Sequence, residues 1–116
     1  MVETKISNFI IPEDLIYSDK YTITGKLVTT EDTAINDEEI DLYIDEELQS
    51  TVTTNENGVF TFNNISFMDT DTHNFQVKHN DHKSNDGKNY CRCESETVSR
   101  KVGIMPTTLT DRKSVV

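Results

Sequence analysis

Hydrophobic residues along this chain recur at every second position, in short runs broken by turn formers and carboxylates. Side chains in a strand alternate faces, so a period of two marks a strand with one face buried. In "YTITGKLV" the residues Tyr21, Ile23, Gly25 and Leu27 share one face, with Thr22, Thr24 and Lys26 on the other. "IDLYI" alternates as cleanly, with Ile40, Leu42 and Ile44 inward and Asp41 and Tyr43 outward. Further runs are "KISNFIIP" near the start, Leu48, Ser50 and Val52 in "LQSTV", Phe60 and Phe62 in "VFTF", and Phe75, Val77 and His79 set against Gln76 and Lys78. The last run, "TVSRKVGI", sets Val98, Val102 and Ile104 on one face with Arg100 between them. No window carries apolar residues at helical spacing.

Between Val52 and Phe60 the stretch "TTNENG" offers Asn57 for a turn and Gly58 for the positive φ that a short hairpin connection requires. Residues 48–62 therefore predict a β-hairpin, with Phe60 and Phe62 entering one core while Val59 and Thr61 point away. The stretch from Asn80 to Glu96 predicts a long polar connection in which Tyr90 alone anchors packing. Six or seven short strands, with no helix to make parallel crossovers, predict an all-β fold: an antiparallel sandwich of two sheets. A closed barrel is the alternative that period-two patterning leaves open.

At 116 residues the chain is one domain's worth, and its 34% hydrophobic content fits a thin two-layer core. The grouping of the apolar residues argues against wholesale disorder. With 21 acidic against 11 basic side chains the formal charge is -10, which repels nucleic acid and anionic lipid, so neither is an expected partner. No window approaches the roughly eighteen apolar residues of a membrane span. The start, "MVETKISNFIIPEDL", lacks the basic and then apolar layout of a secretory signal, which leaves export open. Cys91 and Cys93 are too few and too close for a disulfide framework.

Several of these stretches, in their order and spacing, resemble the immunoglobulin-like repeat modules of archaeal and bacterial adhesin-like surface proteins. The resemblance is carried by Gly25 and Leu27, then Ile40, Leu42 and Ile44, then Thr53, Thr54, Gly58, Phe60 and Phe62, with "HNFQVKHND" and Tyr90 matching a late strand and its tyrosine. The turn with Phe-x-Phe is shared with transthyretin-like and collagen-binding-protein B-type domains. The chain departs from the pattern in the length and polarity of residues 80–96 and in the two cysteines there. The resemblance implies an immunoglobulin-like domain of about seven strands over residues 1–105, with 106–116 a linker or the start of a following module. It further implies a non-enzymatic stalk, spacer or adhesion role at an extracellular cell surface. The implied partners are neighbouring modules of the same chain and cell-surface or host glycans or proteins.

Candidate chemistry is sparse. Cys91 and Cys93 with His73, His79 and His82 are the soft metal ligands, but a zinc site needs four converging, and single-residue spacing is not a usual zinc motif. Asp69 and Asp71 offer oxygens for calcium without the twelve-residue pattern of an EF-hand. Ser50, Ser66 and Ser84 lack a nucleophile elbow, and no Gly-rich phosphate loop exists among four glycines. Lys26 has no Asn in the last run with which to form an isopeptide crosslink. Asn64-Ile65-Ser66 fits the glycosylation sequon, and Tyr17 and Tyr43 are candidates for a sugar-stacking platform. No catalytic, cofactor-binding or metal-ligating residue is assigned, no cofactor is expected, and a carbohydrate- or calcium-binding domain is the alternative function.

Overall fold

The computed structural model describes residues 2–84 and 87–104. Along them run β1 (Thr4–Ile10), β2 (Leu15–Ile16), β3 (Tyr21–Thr29), β4 (Glu39–Ile44), β5 (Glu47–Thr53), β6 (Val59–Ile65), β7 (Thr72–His79), β8 (His82–Lys83), β9 (Asn89–Tyr90), β10 (Cys93–Glu94) and β11 (Val98–Gly103). Seven of these have six residues or more. One sheet has the order β1-β3-β6 and the other β2-β11-β7-β4-β5, with β10 also on β7; β8 and β9 form a separate ribbon.

The two large sheets face each other across the core that period two foretells. Ile23, Leu27, Phe60 and Phe62 come from the smaller sheet, and Ile40, Leu42, Phe75, Val77 and Val102 from the larger, all at 1% exposure or less. Gly25 pairs with Phe60 across the smaller sheet, and a Cβ on Gly25 would stand 2.2 Å from the Phe60 ring. The glycine is thus the space into which the ring fits.

Four expectations are corrected. First, β5 and β6 are not a hairpin: β5 pairs with β4 and β6 with β3, so residues 54–58 carry the chain from one sheet to the other. Local bonds hold this arch. The buried Thr54 hydroxyl donates to the Ile35 carbonyl at 2.8 Å and accepts from the Glu38 amide at 3.0 Å, while the Leu27 amide donates to the Gly58 carbonyl at 2.8 Å. Gly58 does take a positive φ of 76°, but Asn55 rather than Asn57 organises the turn, its Oδ1 accepting from the amides of Asn57 and Val59.

Second, the β4–β5 register slips between Leu42–Ser50 and Tyr43–Leu48, so that Leu48 lies opposite Tyr43 and is 56% exposed rather than alternating inward with Ser50 and Val52. Third, Ile104 is 80% exposed, because β11 ends at Gly103 and its inward residue there is Val102. Fourth, the pairing is not wholly antiparallel. After β1 the chain passes Pro12 and changes sheets, and β2 lies parallel to β11, Val102 beside Leu15. Residues 80–96 also carry β8, β9 and β10, although Tyr90 is buried within them as expected. The expected opening strand of a following module, "MPTTLT", lies outside the described residues.

The chain enters and leaves at opposite poles. Val2 exchanges backbone bonds with Asn89 and Cys91, and Cys91 sits against His79 at the end of β7; this is the N-terminal pole. Val102 donates to Asp71 just before β7 begins, and Ile104 follows at the C-terminal pole. Strand β7, about 25 Å long at roughly 3.3 Å per residue, separates the two.

Candidate functional site

Each pole holds a histidine–carboxylate cluster. At the N-terminal pole Glu38 stands just before β4, in the inward register of Ile40 and Leu42, and is fully buried. One oxygen lies 2.8 Å from Nε2 of His79, the last residue of β7, and the other 2.6 Å from Nδ1 of His82 on β8. Nδ1 of His79 donates to the Cys91 carbonyl at 3.0 Å. With that nitrogen protonated, the contact to Glu38 must itself hold a proton, since two bare acceptors would repel. A carboxyl group buried this deeply is tolerated because both its oxygens are hydrogen-bonded. The cluster fixes the residue 80–96 segment to the sandwich.

At the C-terminal pole His73 of β7 sits between two aspartates. Nδ1 lies 2.5 Å from Asp45 in the β4–β5 turn, and Nε2 lies 2.7 Å from Asp69 in the segment before β7. The ring stacks on Phe67 at 4.4 Å between centroids. Both ring nitrogens face acceptors, so the bonded form is the imidazolium. Burial by itself would lower the His73 pKa, but the hydrogen bonds and charges of Asp45 and Asp69 outweigh it and raise the pKa above the ordinary imidazole value. Burial likewise opposes ionisation of Asp45, yet the Asn74 amide and His73 hold it below the usual carboxylate range; for Asp69 the His73 bond comes first, then the Asp71 amide.

A third place is the outer face of the larger sheet. Tyr43 of β4 is half-buried there, with Lys78 of β7 placing its Nζ 4.6 Å from the ring centroid. Depressions of about 400 and 580 Å³ adjoin the pair, one toward Glu46, Asn74 and Gln76, the other toward Asn80, Arg92 and Glu94.

The structure disperses the residues that the sequence singles out for metal. His79 and His82 meet on Glu38, His73 is at the other pole, and Cys91 and Cys93 are free thiols, half-buried. Burial, seconded by the charge of Glu94, pushes the Cys93 thiol upward against a hydrogen bond from Thr4. Among the described residues no three His, Cys, Asp or Glu side chains converge as a metal site. Asp69 is engaged by His73 and by the Asp71 amide, 3.0 Å away. Tyr17 and Tyr43 do not share a platform: Tyr17 follows β2 at the sheet edge, and β11 and β7 lie between it and β4. Asn64 is exposed, at a left-handed φ of 61°, on the rim of a groove of about 450 Å³ between the open edges of β5 and β6.

Two residues escaped the sequence reading. Glu38 lies within an acidic run that reads as a solvated turn, although its parity with Ile40 is a usable signal. The outward placement of Leu48 depends on a bulge, for which the sequence carries no signal.

Neither a protein-family model nor a curated protein sequence matches this chain. Among solved structures it is similar to the CARDB domain of the PF1109 protein from Pyrococcus furiosus, crystallised in complex with di-metal ions. The TM-score is 0.52 at 13% identity, covering 90% of this chain and 94% of that one. The fold is an immunoglobulin-like β-sandwich. At that identity the likeness is one of fold alone. Among the described residues no helix is long and apolar enough to cross a membrane.

Proposed function

We propose that this immunoglobulin-like domain is a non-enzymatic module of a modular cell-surface protein, a stalk or spacer repeat that also serves adhesion. The observation that carries the reading is the path of the chain, with Val2 at one pole and Ile104 at the other. A domain of that build adds its length to any chain that passes through it, and neighbouring modules of the same chain are its first partners. His73 and His79 each have both ring nitrogens engaged, which leaves neither a free nitrogen to act as a general base and supports a non-catalytic role. Adhesive partners are surface or host glycans or proteins, and an extracellular location follows from the reading.

An antibody raised against the folded domain tests it on intact cells of the source organism. Labelling before lysis is expected, together with loss of label after brief external proteolysis. Label that emerges only after the cells are opened would remove the surface assignment and the stalk role with it.

A further inference from the structure

On the outer face of the larger sheet, side chains of β7 at alternate positions form a polar row: Asn74, Gln76 and Lys78, continued by Asn80 just past the strand. Beside the middle of this row stand Tyr43 and, directly across from it on β5, Leu48. Partners opposite each other in an antiparallel pair share a face, so the two apolar groups form one low platform. Leu48 is there because of the β-bulge, which re-aims it from the inward register of Ser50 and Val52. A bulge that takes a leucine out of the core and leaves it 56% exposed contributes nothing to packing at that position.

Charge narrows what this platform could hold. In a chain of net charge -10, the cations Lys78 and Arg92 are balanced locally by Asp41 and Glu94, the residues facing Lys78 on the neighbouring strands. Yet neither Lys78 nor Arg92 has a carboxylate within ion-pair distance among the described residues; the ammonium rests over Tyr43 instead. The face therefore presents donors and acceptors side by side around an aromatic ring and an isobutyl group, its charges nearly balanced, with Glu46 in one depression tipping it toward negative, which disfavours an anionic ligand. A ligand that matches it is neutral, carries hydroxyls along its edge, one of which draws the Lys78 ammonium off the ring, and has a flat C–H face for Leu48 and for the ring so uncovered.

We propose that the outer face centred on Tyr43 and Leu48 is a binding site for a linear neutral saccharide. The sugar lies across the platform into the depressions beside it, bonded through hydroxyls to the amides of Asn74 and Asn80 and to Lys78 and Arg92. This names a ligand class for the adhesion half of the function above, and it fails separately from it, because surface labelling does not depend on sugar binding.

Native gel electrophoresis of the full chain through gels containing β-glucan, galactomannan, arabinoxylan, dextran or polygalacturonate provides the test. Retardation by at least one neutral polymer is expected. Tyr43→Ala and the exposed-site variant Leu48→Ala should each weaken it about tenfold. Thr61→Ala, on the exposed face of the other sheet, should not, and melting curves establish that each variant is folded. Unchanged mobility in every gel overturns the proposal, as does retardation that survives both platform variants. Retardation by polygalacturonate alone overturns the assignment to a neutral ligand.

Discussion

Gly25 and Phe60 are two halves of one packing decision. The ring occupies the volume over the glycine, and Phe60 is fully buried, so an added methyl has nowhere to displace it. We expect Gly25→Ala to cost about 2 to 3 kcal/mol, the upper part of the range for overpacking, as measured by urea denaturation. Truncating the other partner opens a cavity instead: Phe60→Ala or Phe62→Ala should cost about 3 to 5 kcal/mol, and a loss under about 1 kcal/mol at both would mean that neither ring is core. These positions were legible in the sequence because the core is made of alternate residues, and parity survives wherever no bulge intervenes. Parity also places Glu38 with Ile40 and His79 with Val77, but charge masks it: a glutamate in an acidic run looks solvated until a histidine from a strand distant in sequence is seen to meet it. Glu38→Ala leaves His79 buried without its partner, and about 3 kcal/mol or more of stability should go with it. Denaturation of Glu38→Ala beside wild type checks this; equal midpoints would show that the contact is idle.

At the scale of elements, what the sequence left undetermined is which strand a strand pairs with. Asn57-Gly58 reads as a hairpin turn, and Gly58 has the backbone that such a turn needs, yet the same positive φ serves an arch between sheets. The choice is made by Thr54 and Leu27, which bond the arch to groups distant in sequence. The His73 cluster is tertiary in the same sense, joining the β4–β5 turn, the segment before β7 and β7 itself. It gives these elements a pH dependence with a definite sign. His73 has its pKa raised in the fold, so its contribution is complete below the ordinary value of 6.5 and is lost as pH climbs through the elevated one. Asp45 and Asp69 have theirs lowered, so their contribution is present above the ordinary 3.8 and is lost as pH falls through the depressed values. The cluster therefore stabilises most between those limits. Melting temperatures of wild type and His73→Gln should differ most near pH 5 and converge as pH rises above the folded His73 pKa. Self-repulsion of the acidic surface is nearly common to both proteins and largely cancels in the difference. A gap that stays constant from pH 5 to 10 would show that the ring is not held as an imidazolium.

For the whole molecule the opposite poles decide how load is borne. Tension applied at Val2 and Ile104 runs along β1 in one sheet and along β11 in the other, in opposing senses. Strand β1 is held antiparallel to β3 from Thr4–Thr29 to Ile10–Thr24, and β11 lies between β7 and β2. In antiparallel pairs the hydrogen bonds lie perpendicular to the strands, so force along a strand shears many at once rather than opening them singly. A handle at Thr29 changes this geometry without changing the fold, because Thr29 sits across from Thr4 and tension between positions 2 and 29 peels β1 from one end. Forced unfolding is governed by the barrier along the pulled direction rather than by equilibrium stability, so the two attachments should give different forces on one protein. Single-molecule pulling with handles at 2 and 104 should need clearly more force than with handles at 2 and 29. Equal forces would mean that the terminal strands do not carry the load together, and a stalk role would then have to rest on something other than the geometry of the chain path.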